Sequence, residues 1–130
     1  MMMSDVLVVS PERTVINAAV SALSGQPLFI TGVQSYRDAM YVLAKKHIAV
    51  LLCDENLPDG SWKDLLGQIA MMAEPPRLVV VAATTDRAVC ADAINLGCHD
   101  VLAKPVDETE IMQVVLRAVP TTHATQLQHT

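Results

Sequence analysis

Three short, unbroken apolar runs constrain the fold more than any other feature of the chain. Val6-Leu7-Val8-Val9, Val50-Leu51-Leu52-Cys53 and Leu78-Val79-Val80-Val81 have strand length and no polar alternation. A strand of that kind needs cover on both faces, which a parallel sheet with helices above and below provides. Leu28-Phe29-Ile30-Thr31 and Asp100-Val101-Leu102-Ala103 are shorter or more mixed and suit the edges of the same sheet.

Helical periods follow each run. Ser10-Pro11 reads as a helix start, a capping hydroxyl before a proline at the first helical position. The helix it opens carries Val15, Ile16, Ala19, Val20 and Leu23 on its apolar side and can end at Gly25. Ser35 with Asp38, Ser61 with Asp64, and Asp107 with Glu110 each set a cap and an acid three residues apart. Lys45-Lys46-His47 closes the second helix with cations where the helix dipole favours them. A fourth helix is expected from about Asp86, burying Val89, Cys90, Ala93 and Ile94 and stopping at Gly97. A fifth shows Ile111, Val114, Val115 and Ala118 on one face. Strands alternating with helices make βαβ units, hence an α/β fold of three layers with a doubly wound parallel sheet in the middle. One domain over residues 4–119 is expected, with 120–130 as a polar tail or linker.

Composition narrows the function. A formal net charge of −5 disfavours general binding to nucleic acid or an anionic membrane. No apolar run approaches the roughly 20 residues of a membrane span, and Met1–Asp5 lacks the basic-then-apolar pattern of a signal peptide. The expectation is a soluble, cytoplasmic protein. Cys53, Cys90 and Cys98 form no CxxC pair and share no metal-ligand spacing with His47, His99, His123 or His129, which disfavours zinc.

In an open parallel sheet, functional groups gather at the carboxyl ends of the strands. Ser10-Pro11-Glu12, Asp54-Glu55-Asn56, Ala82-Ala83-Thr84 and Lys104-Pro105 occupy those ends. Asp54 follows an apolar strand directly, so its carboxylate is held rigidly yet borders solvent, as a nucleophile requires. Taken alone, an aspartate there is more often a turn cap. Lys104, at the end of the last strand, changes the weighting, because its ammonium can steady that carboxylate and later a phosphoryl oxygen.

From Val6 to Val119 the chain resembles a response-regulator receiver domain. The resemblance rests on Val6-Leu7-Val8-Val9, the run Asp54-Glu55-Asn56-Leu57-Pro58-Asp59-Gly60, the run Ala93-Ile94-Asn95-Leu96-Gly97-Cys98-His99-Asp100, and Lys104-Pro105, in that order. It implies a flavodoxin-like five-stranded sheet of order 2-1-3-4-5. It also implies phosphotransfer from a histidine kinase or histidine phosphotransfer protein to Asp54, and a downstream protein partner. The metal would be magnesium, held by Asp54 and the Asn56 backbone carbonyl. Lys104 matches the phosphate-contacting lysine, whose bond to the following proline is often cis in the family.

The chain also departs from the pattern. Ser10 and Pro11 stand where two metal-holding acids are usual. Ala82 stands for the phosphate-contacting Thr or Ser, and Val101 for the aromatic that changes rotamer on activation. The usual three carboxylates and one lysine sum to about −2, whereas Asp54 and Lys104 sum to about zero, so magnesium is expected to bind weakly or not at all. Glu12 is a secondary candidate for the metal. The Ala83 backbone and Thr84 are secondary candidates for the phosphate, although Thr84 and Thr85 also suit a cap for the fourth helix. Trp62 reads as a packing residue. Two functions compete: a phosphorylatable receiver, and a receiver-like interaction module that works without phosphate through its fourth helix, fifth strand and fifth helix. A flavin- or cobalamin-binding enzyme on the same sheet is poorly supported, because the chain has neither a phosphate-cradling Gly-rich loop after the first strand nor an Asp-x-His-x-x-Gly stretch.

Overall fold

A computed structural model describes residues 3–83 and 87–120. Five strands and five helices alternate: β1 (Ser4–Val9), α1 (Arg13–Ala22), β2 (Leu28–Val33), α2 (Tyr36–Lys45), β3 (Val50–Asp54), α3 (Trp62–Ile69), β4 (Arg77–Ala82), α4 (Arg87–Asn95), β5 (Asp100–Ala103) and α5 (Glu108–Ala118). All five strands pair in parallel in the order β2-β1-β3-β4-β5. The two mixed runs are the edges and the three apolar runs fill the centre. Between β3 and α3, Asn56–Leu57 and Gly60–Ser61 form a short antiparallel pair.

Strand alternation divides the core into two layers. Val6, Val8, Val50, Leu52, Val79, Val81 and Leu102 face α1 and α5, meeting Val15, Ala19, Ile111, Val114 and Val115. Leu7, Val9, Leu51, Cys53, Leu78 and Val80 face α2, α3 and α4, meeting Ala39, Leu43, Leu65, Ile69 and Ala93. Trp62 is buried in this second layer, a packing residue as its sequence context suggests.

The caps at Ser35, Ser61 and Asp107 form as expected: each side chain accepts the backbone N–H three residues on, and Ser61 with Asp64 completes a capping box. Gly25 (φ 84) and Gly97 (φ 94) take the left-handed conformation past the ends of α1 and α4.

Two packing expectations need correction. Val20 lies about 100° round the helix from Ala19 and is 48% exposed. In α4 only Ala93 is buried; Val89 and Cys90 are half-buried and Ile94 is 68% exposed. That helix packs on β5 at the edge of the sheet, too narrow a surface to cover a full apolar stripe. Asp86, its expected start, lies outside the described residues.

At Gly32, β2 lies close against the Ile16 side chain of α1. A Cβ there would lie 2.6 Å from Ile16 Cγ2, a methyl on a stiff β-branched carbon that cannot swing aside within a helix. Gly32→Ala should therefore cost about 1–3 kcal/mol in urea unfolding. The cost should fall by more than half in an Ile16→Ala background, where the methyl is gone.

Candidate functional site

The carboxyl ends of β1, β3 and β5 bring three side chains to one rim. β3 is buried along its whole length, and Asp54, its last residue, is 3% exposed. Ser10 follows β1 and is fully buried, its backbone N–H bonded to the Val33 carbonyl at 3.0 Å. Lys104 follows β5, its N–H bonded to the Ala82 carbonyl at 2.9 Å; the Lys104–Pro105 peptide is cis.

Asp54 and Lys104 meet directly. Lys104 Nζ lies 3.0 Å from Asp54 Oδ1 and 2.9 Å from Oδ2, so the ammonium straddles the carboxylate. The Ser10 hydroxyl donates to Oδ2 at 2.7 Å and accepts the Glu12 N–H at 3.0 Å. Glu12 reaches Lys104 from the solvent side and forms a second ion pair through Oε2. Partial burial alone would lower the pKa of Lys104, but hydrogen bonds and negative charge from Glu12 and Asp54 outweigh it and hold the ammonium above its ordinary range. An open cleft of about 500 Å³ borders the rim, lined by Glu12, Val15, Ala18, Ala83, Lys104 and Val106.

Ser10 corrects the sequence reading. It does not cap α1, which starts at Arg13 with Glu12 as N-cap and no side-chain cap bond. A hydroxyl at a strand end can turn toward its own helix or across the sheet. Here it does both: its O–H donates to the buried carboxylate 44 residues away, a charge-assisted bond, while its oxygen accepts the Glu12 N–H just before α1. No sequence signal separates these two uses of a Ser-Pro pair.

The remaining candidates offer less. Asn56 sits exposed in the short antiparallel pair. The Ala83 N–H donates to Glu55 Oε1 at 3.2 Å, so a phosphate would have to compete for it. Ala82 is buried and Val101 half-buried in the core, with neither a hydroxyl nor an aromatic ring to offer. Thr84 and Thr85 lie outside the described residues. As for a divalent metal, no group of three or more His, Cys, Asp or Glu side chains surrounds one point among the described residues. Both Asp54 oxygens are engaged and Glu12 is committed to Lys104. The Pro11 carbonyl accepts from Gln34 Nε2 at 3.1 Å. The side chains described at this rim do not by themselves make a magnesium donor set.

Cys53 and Cys98 offer no competing nucleophile. Burial first, then the charge of Asp54 and Cys98, pushes the Cys53 thiol far above its usual range. Burial raises Cys98 to about 11, so both stay protonated near neutral pH.

Asp59 has a role the sequence did not reveal. Its carboxylate accepts the N–H groups of Tyr36 at 2.7 Å and Arg37 at 3.0 Å, capping α2 from the loop after β3. The Arg37 N–H first, with help from that of Tyr36, outweighs desolvation and lowers the pKa of Asp59 below 3.8. A depressed carboxylate adds stability that is present above its unfolded pKa and is lost as pH falls through the folded one. Asp59→Asn should lower Tm near neutral pH, and the gap to the native chain should narrow below about pH 4, as read by thermal melts across that range.

A doubly wound α/β sheet with a buried aspartate and a lysine paired at its carboxyl edge defines the class. The chain belongs to the response regulator receiver domain family, whose model matches residues 6–116. The DNA-binding transcriptional regulator NtrC of Salmonella typhimurium is 31% identical over 75% of this chain and 21% of its own length. The response regulator protein PilR of Pseudomonas aeruginosa is 26% identical over 87% of this chain and 25% of its own. The chain thus spans about a fifth to a quarter of these curated relatives. Among solved structures, the signal receiver domain of a protein described as a Luxo repressor, from Vibrio parahaemolyticus, superposes with a TM-score of 0.87 over 99% of both chains at 21% identity. The chemotaxis response regulator CheY4 of Vibrio cholerae superposes with a TM-score of 0.81 over 91% of this chain and all of that one, at 16% identity. The fold, its strand order and its place among two-component signalling proteins follow.

Proposed function

We propose that Asp54 accepts a phosphoryl group from a phosphohistidine on a kinase or phosphotransfer protein, and that the change of charge is read by a downstream protein partner. The observation that carries this reading is the direct contact between Lys104 and both oxygens of a carboxylate that is otherwise buried. Phosphoryl transfer asks of a protein mainly positioning and charge neutralisation. A rigid strand end supplies the first and the ammonium supplies the second. On this reading the chain is a cytoplasmic signalling module rather than an enzyme. With an overall charge of −5, it is not the part that would contact nucleic acid. Among the described residues no helix is long and apolar enough to cross a membrane.

A phosphate-independent interaction module remains the second reading, favoured by the missing hydroxyl at Ala82, the missing ring at Val101, and Ile94 and Leu96 standing exposed around α4. Acetyl phosphate separates the two. Intact-mass measurement should show one phosphoryl group on the native chain and none on Asp54→Asn, with the label mapped to the peptide holding Asp54. A native chain that takes up nothing would leave the second reading.

A further inference from the structure

Resting on Asp54 as the acceptor, we propose that this receiver takes up its phosphoryl group without a divalent cation. The Lys104 ammonium stands in the metal's place, and Ser10 is a positioning residue for the nucleophile.

The place of a cation beside the carboxylate is already filled. Lys104 Nζ contacts both Asp54 oxygens, and a metal ion there would have to displace the ammonium or sit against a like charge. Among the described residues, the side chains beside it supply no replacement ligands. Ser10 is neutral, with its hydroxyl committed between Asp54 and the Glu12 N–H. Pro11 has no side-chain donor atom, and Glu12 is drawn to Lys104.

The same substitutions remove the need for a metal. Two acids at positions 10 and 11 would repel an incoming dianionic phosphodonor and require a divalent ion to offset them. With Ser10 and Pro11 there, Asp54, Lys104 and Glu12 sum to about −1, so a single lysine that turns from Glu12 to the phosphoryl oxygens can meet the incoming charge.

The hydrogen bonds also distinguish the two carboxylate oxygens. Among the described residues, Oδ2 takes both the Ser10 hydroxyl and Lys104, whereas Oδ1 takes Lys104 alone. Oδ1 is therefore the freer nucleophile. It attacks the phosphorus of acetyl phosphate, the P–O bond to the acetyl group breaks, and the electron pair leaves with acetate. Oδ2 becomes the carbonyl oxygen of the acyl phosphate and keeps the Ser10 hydrogen bond. No proton changes hands, and Lys104 follows the phosphoryl oxygens. Ser10, tied to the start of α1 through the Glu12 N–H, holds the carboxylate plane throughout.

The experiment compares acetyl phosphate uptake in excess EDTA with uptake in magnesium, by intact mass against time, on native, Ser10→Ala and Asp54→Asn chains. The expected native rates are equal in the two buffers. Ser10→Ala should lower the limiting rate roughly ten- to hundred-fold in both, as a misplaced nucleophile does, without changing the acetyl phosphate concentration that gives half the limiting rate. A purely structural role for Ser10 would leave that limiting rate near the native value at temperatures where both chains are folded. Uptake that appears only with magnesium, or saturable magnesium binding by the native chain, overturns the metal-free inference and leaves Asp54 as the acceptor. No uptake in either buffer, with the native chain matching Asp54→Asn, overturns both.

Discussion

Aspartates introduced together at Ser10 and Pro11 are expected to give the chain a magnesium site at least ten-fold tighter than the native rim offers. Position 10 is fully buried, and its side chain already lies 2.7 Å from Asp54 Oδ2. A carboxylate there shares one edge with Asp54, and a second at position 11 brings the sum over Asp54, Lys104 and these two positions from about zero to about −2, the charge that draws a divalent cation. Two carboxylates in contact repel, and the Ser10 hydrogen bond is lost, so the metal-free variant should be less stable than the native chain. Magnesium should restore that loss, since a ligand bound only by the folded state stabilises it by mass action. Thermal melts give the readout. Added magnesium should raise the Tm of the double variant and leave that of the native chain unchanged.

Lys104→Ala is expected to cost about 2 kcal/mol near neutral pH, between the small value of an exposed pair and the roughly 3–5 kcal/mol of a fully buried one. The intermediate value follows from side-chain exposures of 18% for Lys104 and 4% for Asp54. The lysine is partly screened, but the carboxylate it leaves behind is not. Among the described residues only the Ser10 hydroxyl would then support that buried charge, with Glu12 released nearby as a second negative group. The pKa of Lys104 is raised in the folded chain, so its stabilisation is complete below the ordinary lysine value and fades as pH climbs through the higher folded one. Urea titrations should therefore show the full gap between variant and native chain near neutral pH. The gap should close in strongly alkaline solution, above about pH 10.

The fold was legible because its signals are local. Unbroken apolar strands, caps at Ser35, Ser61 and Asp107, and Gly25 and Gly97 beyond helix ends each depend on a few neighbouring residues. The pairing of Asp54 with Lys104 was legible through topology, since strand ends on one edge of a parallel sheet must converge. What escaped detection depends on distant partners. Ser10 has the sequence of a helix cap, yet its hydroxyl is taken by a carboxylate 44 residues away. Asp59 caps a helix 22 and 23 residues before it, and Glu12 finds Lys104 across 92 residues. In α4 the periodicity was present, but the sheet edge beneath it is too narrow to bury Ile94. Apolar periodicity marks the surface a helix offers, not the surface available to cover it.

The common root of these expectations is an ammonium clamped between Asp54 and Glu12, and the titration of Lys104 Nζ, followed by nitrogen NMR on the native chain and on Asp54→Asn, tests it most directly. The native midpoint should lie above the ordinary lysine value of 10.5 and should drop when the aspartate charge is removed. A midpoint at or below that value, unmoved by Asp54→Asn, would contradict the clamp and the metal-free chemistry built on it.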